Sequence, residues 1–354
     1  MLVHWSLHRK EKKSAPAGGT QKILQQQQEG YQATKGFYLR GLHHIRLWDH
    51  DLASACIIHP PFICYTLGMD EDKYKAVWLS YSSLSDFTAC PRAYYFANVY
   101  KNPLSGKKIA IINPWLSLGQ AVHSTLESLS TLPVEDRFEK SLALRFEEDW
   151  KKVTGKQGGF LSEEQEKSFK ERGIQMIAKV EKNPGPLLNK AIKTKEDLPN
   201  YWFSKEEGMV LCGKIDWLEY LEEEDAVHII DFKTGRRTEA EGSLQLPIYY
   251  LLTTNIQSRP VKKMSYWYLD ESNPLDLESV NLPDVKNAEK EIMEIAKRIK
   301  LARQLNHFKC ATDEKNGCIH CAPYEAITKG KGEFAGINIY NREVYLLSSE
   351  ATSL

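Results

Sequence analysis

The chain has 354 residues, 42% hydrophobic and 27% charged, with 47 Lys/Arg balanced by 47 Asp/Glu. That length can bury a sizeable core in one large domain or two smaller ones, and the composition is that of a globular protein rather than a disordered or fibrous one. Zero net charge excludes a global basic field directed at nucleic acid, but not a local basic groove.

In chain order, residues 1–68 stand apart. They hold eight Lys/Arg against four Asp/Glu, six of the ten histidines and the run Gln25 to Gln28. They show neither a 3.6 nor a 2.0 periodicity, so they read as an extension outside the folded unit. Met69 opens a stretch resembling an ordinary protein start, and the extension is expected to derive from an upstream start codon. Residues 52–69 carry no Asp, Glu, Lys or Arg. However, His59, Pro60 and Pro61 interrupt a run already short for a membrane span, and it lies too far along the chain for a secretory signal. The expected location is the cytoplasm.

A helix is expected from Ser82 or Ser83, with Leu84, Phe87, Tyr94 and Tyr95 as its apolar positions and Cys90-Pro91 in it or at a break. A second helix over about 117–130 puts His123 and Glu127 one turn apart on one face. Residues 135–153 and 161–182 read as amphipathic helices around the loop from Gly155 to Gly159, ended by Pro184-Gly185-Pro186. Strands follow at 201–206, 209–220 and 226–232, the last two joined by the acidic turn Glu222 to Asp225. A helix over 239–256, a strand at 264–269 and a helix over 285–304 complete the pattern. Helices, antiparallel strands, helix, strand, helix is the order of an α/β or α+β core with a small mixed sheet.

Three stretches carry the chemistry: Leu118 to His123, Gly213-Lys214-Ile215-Asp216, and Ile229 to Gly235. Asp231 and Lys233, two apart on a strand, leave the same face. A short hairpin lets Asp216 approach Asp231, and two close carboxylates repel unless one is protonated or a cation lies between them. Oxygen ligands of this kind suit Mg²⁺ or Mn²⁺; the cation polarises a phosphoryl oxygen and Lys233 stabilises developing charge. Singly, each feature has a plainer reading: an Asp-x-Lys pair on a strand is usually solvated, a helix histidine is usually structural, and Tyr249 is more often core. The joint occurrence in order raises them above that. Arg236 and Arg237 follow the Lys-Thr-Gly turn and read equally well as phosphate contacts or as a solvated loop.

The ordered set, His123, Gly213 with Asp216, Asp231 with Lys233, then Gln245-Leu246-Pro247-Ile248-Tyr249, resembles the RecB-type branch of the PD-(D/E)XK nucleases, including CRISPR-associated members and AddB-type nuclease domains. The resemblance covers about residues 78–327. It implies a restriction-endonuclease-like core, a small mixed central sheet flanked by helices, with an N-terminal helical region and a C-terminal cysteine cluster. It also implies that His123, Asp216, Asp231 and the Phe232 carbonyl bind Mg²⁺ or Mn²⁺, that Lys233 is the catalytic lysine, and that Gln245 and Tyr249 position substrate or lysine. The expected division is an extension over 1–68, a nuclease domain over 69–330 with a helical insertion at about 131–199, and a tail over 331–354.

Cysteines add a second centre. Seven of them without a secretory signal argue against a disulfide framework and for metal ligation where they are spaced. Cys310, Cys318 and Cys321 follow a C-x7-C-x2-C spacing that suits zinc or an iron–sulfur cluster. In the resembling nucleases an early cysteine, here Cys90, joins three late ones around a [4Fe-4S] cluster. Their last cysteine falls where this chain has Ile327, so Cys310 would supply the fourth thiolate, with zinc as the alternative ion and His320 as a further possible ligand. Cys212 reads as a packed residue; Cys56 and Cys64 carry no assignment. The expected activity is that of a DNA nuclease acting on ends or single strands in recombination, repair, phage DNA processing or CRISPR adaptation, with DNA and a helicase or other recombination protein as partners. The alternative is a silent DNA-binding subunit. There is no Gly-x-x-x-x-Gly-Lys-Ser/Thr loop, so the chain does not read as an NTPase.

Overall fold

A computed structural model describes residues 73–236, 238–270, 277–310, 312 and 317–347. The expectations for residues 1–68, and for Arg237, lie outside the described residues. The element order is β1 (Val77–Leu79), α1 (Tyr81–Ala89), α2 (Pro91–Tyr94), β2 (Ile109–Ile111), α3 (Pro114–Glu127), α4 (Leu142–Trp150), α5 (Glu163–Lys182), β3 (Asn200–Ser204), β4 (Met209–Cys212), β5 (Trp217–Leu221), β6 (Ala226–Lys233), α6 (Gln245–Ile256), β7 (Val261–Tyr268), β8 (Leu277–Val280), α7 (Val285–Gln304), α8 (Ala322–Thr328), β9 (Glu333–Ile337) and β10 (Glu343–Leu346).

Local chemistry sets the boundaries near the site. Ser80 and Ser83 form a reciprocal capping box that starts α1 at Tyr81, slightly before the expected Ser82. Cys90 is extended, and Pro91 opens α2, so the Cys90-Pro91 step is a break between two helices. Asn113 caps α3 through the Leu116 N–H, with Pro114 in the first turn. Asp284 caps α7 through the N–H groups of Lys286 and Asn287.

The central sheet has the order β5-β6-β7-β8: β5 and β6 pair antiparallel, α6 carries the chain across to β7 parallel to β6, and β8 returns antiparallel. Alternation along β6 divides the core in two. Val227 and Ile229 face the cluster containing Leu246, Leu251 and Leu252 of α6 and Ile292, Ala296 and Ile299 of α7. Ile230 and Phe232 face the cluster containing Leu118 and Val122 of α3, Phe146 of α4 and Ile177 of α5. The sheet thus lies between two helical layers, the expected mixed α/β arrangement.

The strand layout departs from the sequence reading in two places. The expected strand over 209–220 is two strands in different sheets: β4 pairs with β1 and β3, whereas β5 pairs with β6. The chain changes sheet at Gly213, where a Cβ would lie 2.9 Å from Leu252 Cδ1 and 3.3 Å from Tyr249 Cε1, so glycine lets α6 pack against the crossing point. The 331–354 segment, expected as a tail, carries β9 and β10, and β10 pairs parallel with β2.

The α4–α5 layer depends on one close approach. Gly173 of α5 faces Phe146 of α4, and a Cβ there would lie 2.3 Å from Phe146 Cζ and 3.1 Å from Leu118 Cδ1. Gly173→Ala gains about 1 kcal/mol of helix propensity but overpacks a filled core at a cost of about 1–3 kcal/mol. With so short an approach, the overpacking dominates. The expected outcome is a lower denaturant midpoint at unchanged slope; a raised midpoint contradicts the packing account.

Candidate metal and phosphodiester site

The β5–β6 register builds the site. Trp217 pairs with Ile230, so one step outward Asp216 stands across from Asp231. Asp216 sits in a bend just before β5, not on a strand as expected, and its Oδ2 accepts a 2.8 Å hydrogen bond from the Phe232 N–H. A strand residue's N–H and C=O leave on the same side, so the Phe232 carbonyl faces the same edge. α3 arrives from the opposite layer: His123 Nδ1 is 3.2 Å from Asp216 Oδ1 and 3.6 Å from Glu127 Oε1. Gly119, one turn earlier, lies where a Cβ would be 3.3 Å from Thr234 Oγ1, which lets the helix approach the end of β6.

Asp231 is 2% exposed. Its Oδ1 accepts from Gln245 Nε2 at 2.7 Å, while Oδ2 is 3.0 Å from Lys233 Nζ without a hydrogen bond. Gln245 Oε1 in turn accepts from Lys233 Nζ at 2.5 Å, and Gln245 Nε2 is 3.4 Å from the Tyr249 hydroxyl. The lysine has a further carboxylate partner that the sequence reading missed: Glu239 Oε2 at 2.8 Å, itself accepting from the Tyr81 hydroxyl. The helix expected from 239 begins only at Gln245, so Glu239 lies in the preceding loop, and nothing in the local pattern marks it as facing the strand. The Lys233 ammonium also lies 4.9 Å from the Tyr266 ring centroid.

The electrostatics report an unneutralised acidic site. Burial and the Asp216 carboxylate push the Asp231 carboxyl up to about 7, against the pull of Lys233. Burial alone would depress the His123 imidazole, but Asp216 and Glu127 more than offset it and raise it to about 10. Lys233 is likewise raised, its desolvation outweighed by Asp231 and Glu239.

The donor set that converges is His123, Glu127 and Asp216, whose ligand atoms lie within 4.8 Å of one another. Donors around one Mg²⁺ lie roughly 3–4 Å apart, so the three stand near the spacing that a single ion requires. Asp231, expected in this set, is not among these three; its Oδ1 is held by Gln245 and its Oδ2 lies against the Lys233 ammonium. Glu127 takes its place; the i, i+4 spacing with His123 was the signal for it. Lys214, on the Gly-x-x-Asp stretch, forms an ion pair with Glu127.

Tyr249 is 8% exposed and packs in the core while its hydroxyl accepts from Gln245. Arg236 lies on the surface with its guanidinium 6.0 Å from the Trp115 ring. The cysteines meet as the sequence suggests. Cys90, Cys310, Cys318 and Cys321 are all buried, with their sulfurs within 4.8 Å of one another, 3.6 Å for Cys310–Cys321 and 3.8 Å for Cys318–Cys321. Burial opposes ionisation of Cys310, but hydrogen bonds from Thr312 and the Cys318 backbone bring it down to about 6; burial and the neighbouring thiols push Cys321 up. Four sulfurs so close cannot all ionise without a cation among them. Gly317, at φ 78°, leaves the room: a Cβ there would be 2.6 Å from Cys321 Sγ. The ion pair Arg92–Glu325, at 2.8 Å, ties α2 to α8 beside the sulfurs. His320 is exposed and outside the group, and Cys212 is packed, its thiol 3.3 Å from the Leu79 carbonyl.

A cation binding here must displace the protons on Asp231 and His123, so its affinity rises with pH. Mn²⁺ is expected to raise the melting temperature little at pH 6 and clearly at pH 8, where a hundredfold excess over Kd adds about 2.7 kcal/mol of stability. Asp216→Ala should lose that shift. A shift that is independent of pH, or that survives in Asp216→Ala, means the ion binds elsewhere.

Among the described residues, no helix is long and apolar enough to cross a membrane. Comparison with curated proteins gives no match. Among solved structures, the chain is similar to the "Putative exonuclease" from Eubacterium rectale, at 12% identity and a TM-score of 0.39, over 68% of this chain and 88% of that one. At that score the likeness carries no functional weight. The family model of the PD-(D/E)XK nuclease superfamily matches residues 78–326, the span that holds every element of the metal site and the cysteine cluster. This chain belongs to the PD-(D/E)XK nuclease superfamily.

Proposed function

We propose that the protein is a Mg²⁺- or Mn²⁺-dependent deoxyribonuclease acting on DNA ends or single strands, in recombination, repair, phage DNA processing or CRISPR adaptation. The observation that carries this reading is the opposition of Asp216 and Asp231 across the β5–β6 register, with Lys233 alongside. A divalent ion held by His123, Glu127, Asp216 and Asp231, with the Phe232 carbonyl facing the same edge, would polarise a phosphoryl oxygen and activate water. Lys233 is the donor for the non-bridging phosphate oxygens. Asp231, Glu239 and Gln245 hold its ammonium in place, so little reorganisation is needed when charge develops. Gln245 is a positioning residue that bridges Asp231 and Lys233, and Tyr249 backs it from the core. Arg236, and Arg237 beside it, are assigned to substrate phosphates.

Lys233→Ala is expected to lower kcat by at least about 10²–10³-fold, the scale of losing one preorganised charge donor, and Asp216→Ala to abolish cleavage, with circular dichroism unchanged in both. Full activity in either purified variant removes the assignment. Tight binding of labelled DNA by the native protein without cutting under Mn²⁺ would instead identify a silent binding subunit.

For the cysteine cluster we infer one tetrahedral zinc with a structural role. Thiolates 2.3 Å from a central zinc stand about 3.8 Å apart, and the 3.6 and 3.8 Å separations support that size. A cuboidal four-iron cluster distributes its thiolates over separate irons and spreads them wider. Cys90→Ser should remove one equivalent of zinc and lower the melting temperature. A visible thiolate-to-iron charge-transfer band in anaerobically purified protein would reverse the assignment to iron–sulfur.

A further inference from the structure

Beside the carboxylates runs a groove of about 600 Å³ that includes Asp216 and Glu127 in its lining, so it opens directly onto the candidate metal site. Ser128, Thr131 and the exposed Lys193 and Lys214 contribute polar lining, and Ile339 and Tyr340 contribute a rim from the turn between β9 and β10. Those two side chains are 85% and 73% exposed, an unusual cost for adjacent large apolar groups. Their turn is braced. The Asn338 side-chain oxygen accepts from the N–H groups of Tyr340 and Arg342 at 3.0 and 3.1 Å, and Asn341 takes a left-handed φ of 56°. The Arg342 guanidinium donates to the Ala97 carbonyl at 3.1 Å, and β10 is zipped to β2, so the turn is fixed to the body of the protein.

We propose that this groove is the track of a single-stranded DNA segment flanking the cleaved phosphate, with Tyr340 stacking on a base and Lys193 meeting a phosphate. The inference rests on the nuclease reading of the carboxylates. Asp216 lines this groove, so a strand lying along it passes the candidate metal site. There Lys193 and the hydroxyls of Ser128 and Thr131 suit its backbone and the Tyr340 ring suits its bases, while Lys214 is already paired with Glu127 and Asp197 is a further lining carboxylate. A duplex keeps its base faces stacked inward and offers Tyr340 nothing to stack on, so the rim selects for unpaired DNA.

The test compares labelled single-stranded and duplex oligonucleotides of one sequence, bound to the full chain without added divalent metal, with melting temperatures as the folding control. Tyr340→Ala should weaken single-strand binding about tenfold and raise KM far more than it lowers kcat, while leaving duplex binding unchanged. Tyr340→Phe, which keeps the ring, should restore the native values. Lys193→Ala should reduce the magnitude of the logarithmic salt slope for single strands by about 0.7. Native-like binding by Tyr340→Ala, or a Tyr340→Phe variant as weak as the alanine, overturns the stacking role. If the native protein cuts DNA under Mn²⁺ and Tyr340→Ala behaves identically, this inference alone fails. If the native protein binds single strands through Tyr340 yet never cuts, the nuclease reading fails and the groove stands. No binding of either DNA defeats both.

Discussion

Two carboxylates facing each other across one hairpin, and the backbone amide that fixes one of them, govern the rest of this site. Trp217 opposite Ile230 forces Asp216 toward Asp231, and the Phe232 N–H holds Asp216 there. In a buried setting the two negative charges repel strongly, and Asp231 responds by holding its proton to about 7. The surrounding groups answer that repulsion: Lys233 and Gln245 on one side of Asp231, His123 on the other side of Asp216. Each was brought by a different element, β6, α6 and α3. The ordered residues His123, Asp216, Asp231, Lys233 and Gln245 therefore mark the elements that converge on one acidic point.

A second constraint closes the unit on itself. Cys90 lies at the break between α1 and α2, and its three partners come from beyond α7, so a metal held by the four sulfurs would close a loop of about 220 residues. The β2–β10 pairing makes a second, parallel connection between an early and a late segment of the described residues. These ties hold the first and last segments together without touching the chemistry directly. They also fix the β9–β10 turn whose tip lines the groove beside Asp216.

Much of this was legible in the residues. The helix over 285–304 was readable to its ends because its apolar face repeats cleanly and Asp284 caps it. The alternation in β6 put Asp231 and Lys233 on one face, and the one-turn spacing put Glu127 beside His123. The break between β4 and β5 was not legible. Both strands are buried and apolar, so the pattern runs on while the chain changes sheet. Nor was the role of Glu239. It sits in a loop whose path is set by where α6 starts, and its pairing with Lys233 has no local signature. β9 and β10 went unread because such short strands lack a strong period, β9 is largely exposed, and β2, the parallel partner of β10, lies more than two hundred residues earlier.

By itself the sequence determined which residue types could carry phosphodiester chemistry, in what order, and that four cysteines were available to a metal. Those are properties of spacing and side-chain chemistry, written locally. Only the tertiary structure decided that Glu127 rather than Asp231 completes the tight donor group, that Glu239 shares the lysine, and that Tyr340 borders the groove. Each of these depends on where elements distant in sequence cross. That is set by packing of two helical layers against one sheet, an interaction summed over many side chains and encoded in no single motif.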